Sequence, residues 1–130
     1  MKFKRGVSLA TPAAAKEALQ LQLCGLDYEI FGCLLLDQKH RLVKMAELFR
    51  GTIDGASVYP REVVRAALDS HSSALIFFHN HPSGDATPSE ADKAITQRLK
   101  AALRLVDIRV LDHFVVGSGG VFSFAEAGLL

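Results

Sequence analysis

The chain is 130 residues long and 49% hydrophobic, with Lys+Arg 15 against Asp+Glu 14 for a formal net charge of +1. That length and apolar content, with a mean hydropathy of +0.20, exclude intrinsic disorder and predict one domain that buries a core without disulfide staples. The near-zero charge advertises neither nucleic acid nor anionic lipid, and no apolar run approaches the roughly 20 residues of a membrane helix.

In chain order, MKFKRGVSLATP begins basic but has only a short apolar patch and no signal-peptide core, so a cytoplasmic location is expected. Thr11-Pro12 reads as a helix cap followed by an N1 proline, with Ala15, Ala18, Leu19 and Leu23 at helical spacing through residue 23 and Gly25 as the stop. Cys24 and Cys33 fall outside any CxxC spacing and are expected to be reduced core thiols. Tyr28 to Leu36 reads as a strand apolar enough to be buried on both faces. After the polar turn Asp37-Gln38-Lys39-His40, a second strand over Leu42 to Phe49 completes a hairpin. Gly51 to Ser57 is expected to be a loop, and Pro60 to open a helix through Leu68. A short buried strand over Ala74 to Phe78 runs into His79. Residues 89–104 then form a helix with Ile95, Leu99, Ala102 and Leu103 on its apolar face. Arg109 to Val116 and Val121 to Phe124 are the last strands, giving the order α-β-β-α-β-α-β-β and a mixed α/β domain.

The chemistry-bearing stretch is FFHNHPSGDATPSEAD, residues 77–92. His79 and His81 are two apart at a strand end and so project to one side, and Asp92 follows eleven residues after His81, at a helix start. Two imidazoles and one carboxylate make a three-ligand zinc set that leaves a fourth position open for water, as a hydrolytic site needs. Asp92 has a plain structural explanation too: Ser89-Glu90-Ala91-Asp92 has the form of a capping box, and acidic residues suit a first helical turn. Thr87-Pro88-Ser89-Glu90 offers a competing helix start. Only its combination with the paired histidines promotes Asp92 to a ligand. Ser89 is a helix cap, an active-site hydroxyl, or both. Asp85 and Glu90 are nearby decoys.

A hydrolytic zinc also needs a carboxylate that takes the water's proton without binding the metal. Asp27, Glu29, Asp37, Glu47, Asp54, Glu62 and Asp69 precede the motif. Glu29 stands out because a carboxylate inside the apolar stretch YEIFGCLLL is costly unless a partner or a function keeps it there, although Glu47 in MAELF has a similar setting. His40 and His71 read as solvated, and Arg61 as structural or substrate-facing. Asp112-His113, in a late apolar strand, is either a satisfied buried polar pair or support for the zinc ligands. Asn80 alternates away from the two ligands and is expected to tie down the loop.

The upstream Glu, HxH and spaced Ser and Asp, at Glu29, His79, His81, Ser89 and Asp92, resemble the JAMM metalloprotease motif of JAB/MPN-type domains. HNHPSG at 79–84, PSEAD at 88–92, FRGT at 49–52, YPREVV at 59–64 and LDHFVVG at 111–117 resemble the RadC family more specifically, over residues 25–127. The resemblance implies an MPN fold related to cytidine deaminases, a curved mixed sheet flanked by helices. It implies residues 25–130 as the main body, with the N-terminal segment 1–24 and its helix packed on the same domain. It further implies one zinc ion per chain on His79, His81 and Asp92, Glu29 as general base, and Ser89 as the group polarising the carbonyl or holding the oxyanion. Longer members carry an N-terminal helix-hairpin-helix region, which is not found within these 130 residues.

Deamination would need H-x-E and P-C-x-x-C, and neither is present. The literal string His79-Asn80-His81 is no HNH nuclease motif, whose residues are dispersed over a ββα unit. Three functions remain open. The first is a zinc hydrolase of peptide or isopeptide-like amides, acting on an unidentified protein or peptide. The second is a nucleic-acid-associated, DNA-repair-type module using Lys93, Lys100 and Arg104, with Arg98 nearby. The third is a scaffold that keeps its metal for stability.

Overall fold

In a computed structural model, residues 4–51 and 58–130 are described. Most of the loop expected over Gly51 to Ser57, with the candidate base Asp54, lies outside them, as does part of FRGT. The element order is the one predicted: α1 (Pro12–Leu23), β1 (Ile30–Leu36), β2 (Leu42–Arg50), α2 (Pro60–Asp69), β3 (Ala74–Asn80), α3 (Glu90–Arg104), β4 (Arg109–Gly117) and β5 (Gly120–Ser123). The strands form one mixed sheet in the order β2-β1-β3-β4-β5, with β3 and β4 parallel and the other neighbours antiparallel. This is an α/β fold of the JAB/MPN type.

Strand alternation explains the layering. From β1, Ile30, Leu34 and Leu36 join α1 through Ala15, Leu19 and Leu23, together with Ile76, Phe78, Phe114 and Val116. From the same strand, Phe31, Cys33 and Leu35 face the other way onto Val63 and Ala67 of α2 and Ile95, Leu99 and Leu103 of α3. The sheet is therefore covered on both faces, and every residue of β1 and β3 is buried, as their unbroken apolar runs require. The N-terminal helix shares the first of these cores.

Three expectations need correction. Strand β1 begins at Ile30, so Glu29 stands one residue before it, partly buried at its mouth. Strand β3 runs on to Asn80, so His79 lies inside the sheet rather than after it. Cys24 is exposed and not a core thiol, because it caps the end of α1 before the chain enters the sheet; Cys33 is buried, and burial pushes its thiol up to about 12. Both cysteines are free.

One irregularity positions the site. Between β3 and β4, Leu75 pairs with Val110 but Ile76 pairs with Asp112, so Leu111 is an extra residue. Val110 packs with the α2/α3 core and Leu111 with the α1 core. Regular alternation would then turn Asp112 towards α3. The bulge gives that direction to His113 instead, the local re-aiming for which such insertions recur beside active sites.

Candidate metal centre

Alternation along β3 sends Leu75, Phe77 and His79 to the face covered by α3. His81, two residues beyond His79, keeps that side because its N–H donates to Val116 O (2.9 Å), prolonging the pairing with β4. Asp92 arrives from the first turn of α3. The ligating atoms of His79, His81 and Asp92 lie within 4.8 Å of one another. His79 Nε2 is 3.0 Å from His81 Nε2 and 3.2 Å from Asp92 Oδ1, while His81 Nε2 is 3.2 Å from Asp92 Oδ2. Asp85 is not part of this group. Its side chain accepts from Thr87 N, and Glu90 is an exposed partner of Lys93.

The capping box at Ser89 wins over the proline-led alternative. Ser89 Oγ accepts from Asp92 N (3.0 Å), and Ser89 N donates to Asp92 Oδ2 (2.7 Å). The capping box and the candidate metal group thus share Asp92: the bond from Ser89 fixes its carboxylate while the other oxygen faces His79. Ser89 is exposed and keeps its own O–H free to donate outward, since that oxygen only accepts in the cap.

Burial works against the Asp92 carboxylate, but the two imidazoles that face it, His79 and His81, outweigh it and hold the carboxyl far below the usual range. The same bond to Asp92 raises His81, against its own desolvation, with the Asp85 carbonyl and the Glu29 charge adding to the effect. His81 Nδ1 donates to Asp85 O (2.8 Å), which leaves its Nε2 to face Asp92. That carbonyl sits in a loop fixed by close approach. A Cβ on Gly117 would lie 2.3 Å from Gly84 O, and Gly84 has φ +96° with Ser118 Oγ at 2.7 Å from where its own Cβ would be. Paired imidazole nitrogens and a carboxylate oxygen, all aimed at one point, suit a borderline divalent cation.

Glu29 is brought alongside by Asn80. Antiparallel pairing of Phe31 with His79, carried two residues on, sets Glu29 opposite His81. The Asn80 carboxamide takes over from the ladder there: Ile30 N donates to its Oδ1 (2.8 Å), and its Nδ2 donates to Tyr28 O (2.9 Å). The two bonds bracket Glu29, whose own carbonyl accepts from Gly51 N (2.8 Å). Asn80 thus ties down β1 rather than its own loop. The rival Glu47 is exposed on the outer strand β2, ion-paired with Arg50 at 3.0 Å, and separated from β3 by β1.

Asp112 and His113 part company, as the bulge and alternation demand. His113 is fully buried, with its Nε2 2.8 Å from His79 Nδ1. Asp112 turns away: its carboxylate accepts from His113 N, Ala125 N and Ser123 Oγ, which ties the C-terminal turn to β4. The residue that backs His79 is His113 and not Asp112. Thr96 was not singled out from the sequence, yet its hydroxyl lies 2.6 Å from His113 Nδ1. The available signal was a polar residue at i+4 from Asp92, inside the apolar face of α3. Of the other sequence candidates, His71 is exposed, His40 meets Arg109 at 3.2 Å, and Arg61 stacks on Tyr59.

A family profile described as the RadC-like JAB domain matches residues 9–129. The chain belongs to that family. It is 58% identical over 128 residues to a UPF0758 protein of Nitrosococcus oceani, covering 98% of this chain and 57% of that protein. To a UPF0758 protein of Methylibium petroleiphilum it is 62% identical over 120 residues, 92% of this chain and 54% of the relative. A UPF0758 protein of Vibrio cholerae is 57% identical over 129 residues, which is 99% of this chain and 81% of the relative. The chain thus spans little more than half the length of the first two relatives. Among the described residues of this RadC-like domain, no helix is long and apolar enough to cross a membrane.

Proposed function

We propose that this domain is a zinc-dependent hydrolase of peptide or isopeptide-like amide bonds, with Glu29 as general base. The observation that carries the reading is the convergence of His79 Nε2, His81 Nε2 and the Asp92 carboxylate within 4.8 Å, with a second carboxylate, Glu29, held beside them and outside the set. A zinc ion held by the three ligands would bring the pKa of a water in its fourth position towards ~7 and polarise a substrate carbonyl. Glu29 would take a proton from the attacking water and return it to the departing amine, which balances the hydrolysis. The outward O–H of Ser89 donates to the carbonyl oxygen as negative charge develops there. An open groove beside His81, lined by Cys24, Leu26, Asp27, Pro82, Gly84 and Ser118, leaves room for an extended peptide. Cleavage of a broad peptide and isopeptide panel by the zinc-loaded protein tests the reading; an inert loaded protein overturns it.

The raised His81 adds a pH dependence. In the metal-free protein the Asp92 carboxylate retains a proton on His81 above the ordinary 6.5, and zinc must displace it. Zinc affinity is therefore expected to climb with pH until His81, raised above its ordinary 6.5, has lost its proton, by up to about tenfold per pH unit for one displaced proton. Calorimetry in two buffers of different ionisation enthalpy reads the released proton directly. A pH-independent affinity would contradict the assignment of His81 as a ligand paired with Asp92.

A further inference from the structure

We propose that Thr96, acting through His113, fixes the tautomer of His79 and thereby aims its Nε2 lone pair at the metal position. The inference rests on reading His79, His81 and Asp92 as a metal set.

Hydrogen-bond direction carries the argument. Thr96 Oγ1 lies 2.7 Å from Asp92 O and 2.6 Å from His113 Nδ1. A main-chain carbonyl can only accept, so the single hydroxyl proton goes to Asp92 O. Oγ1 can then only accept from His113, which places a proton on His113 Nδ1. His113 is fully buried, edge-on to Phe31 and Phe77 and stacked on Phe124 at 4.5 Å, and no carboxylate is hydrogen-bonded to its ring among the described residues. A cationic ring there would be desolvated without compensation, so His113 is neutral and its Nε2 bears a lone pair. The partner of that lone pair, His79 Nδ1 at 2.8 Å, must be the donor. In the neutral ring that a metal requires, His79 Nε2 is then left bare, facing His81 and Asp92.

The relay starts and ends on the same site. Asp92 and Thr96 are one helical turn apart on α3, so the helix that brings the carboxylate also sets the proton that orders the first histidine. Without the Thr96 hydroxyl, His113 Nδ1–H would lose its only acceptor among the described residues. The ring would be free to take the opposite tautomer, donate from Nε2 to His79 Nδ1, and leave a proton on His79 Nε2 where the metal should bind. Thr96 is accordingly a positioning residue. It touches neither metal nor substrate.

The test compares Thr96→Val, which keeps the shape and removes the hydroxyl, with Thr96→Ser, which keeps the hydroxyl. Zn2+ affinity is measured by competition with a chromophoric chelator. Thr96→Val is expected to weaken binding by about 10–100-fold, the usual cost of losing an outer partner of a ligand histidine, and Thr96→Ser to restore it. Nitrogen-15 shifts of the metal-free wild-type imidazoles should already show the proton of His113 on Nδ1. Equal affinity in Thr96→Val and wild type, equal loss in both variants, or a His113 proton on Nε2 overturns the relay. If the wild type binds no Zn2+ at all, the metal reading fails and the relay with it.

Discussion

Glu29→Gln is expected to lower turnover of any cleaved amide by about 10²–10⁴-fold while leaving zinc content unchanged. Glutamine matches glutamate in shape and can still occupy the mouth of β1, but it cannot accept the proton of the attacking water. The structural reason to separate chemistry from metal binding is that Glu29 is outside the ligand set and its main chain is fixed by groups that are not ligands. The Asn80 carboxamide brackets it from Tyr28 O and Ile30 N, and Gly51 N fixes its carbonyl. Its charge reaches His81 without a share in the convergence of ligating atoms. Kinetics of both proteins at matched zinc occupancy decide the point. Undiminished turnover in Glu29→Gln would move the base role elsewhere, and Glu47 is an unsuitable heir, exposed on β2 and engaged by Arg50.

Asp92→Asn carries the second large effect, on the metal. Asparagine retains an oxygen that can accept from Ser89 N, so the capping geometry at the start of α3 survives in outline, but the negative charge between the histidines is gone. Zinc affinity is expected to fall by at least the roughly 100-fold that marks the loss of a strong outer partner, because here a ligand itself is neutralised. Asp92→Ala keeps the Ser89 cap but also removes the reciprocal bond from Ser89 N to the carboxylate, which lowers helix stability in the metal-free protein. The pair of variants therefore divides two roles that one side chain performs. Metal-free melting temperatures should rank wild type and Asn close together and Ala lower, while zinc affinity should be poor in both variants. Equal zinc affinity in Asp92→Asn and wild type would reduce Asp92 to the capping-box partner of Ser89.

Much of this site was legible in sequence because it is local. HxH on a strand end and a carboxylate at the next helix start are fixed by spacing alone, and the element order followed from proline and glycine punctuation and apolar periodicity. What stayed hidden depends on partners distant in the chain. The bulge at Leu111 has no sequence signal, since Val110, Leu111 and Asp112 alternate plausibly either way, yet it decides that His113 and not Asp112 meets His79. Asn80 looked like a loop tie because its partners, Tyr28 and Ile30, lie about fifty residues upstream. Glu29 was picked for being inside an apolar strand; it stands just before that strand, where partial burial and the Asn80 bracket replace the expected full desolvation. Thr96 was masked by its neighbours Ile95 and Leu99, which make the helix face read as plain core.

The same locality separates what the fold shares from what the family adds. Any helix of this sequence would favour an acidic residue near Ser89. Only the β3–α3 juxtaposition turns that residue toward two imidazole nitrogens, and only the parallel β3–β4 pairing brings His113 behind the first of them.

The central claim is that His79, His81 and Asp92 hold a catalytic zinc. Elemental analysis of protein purified without chelator, beside His81→Ala and Asp92→Ala prepared identically, tests it most directly. One zinc per chain in the wild type, with little or none in either variant, is the predicted result. A metal-free wild type that zinc cannot load, or variants that keep the wild-type zinc content, would contradict it.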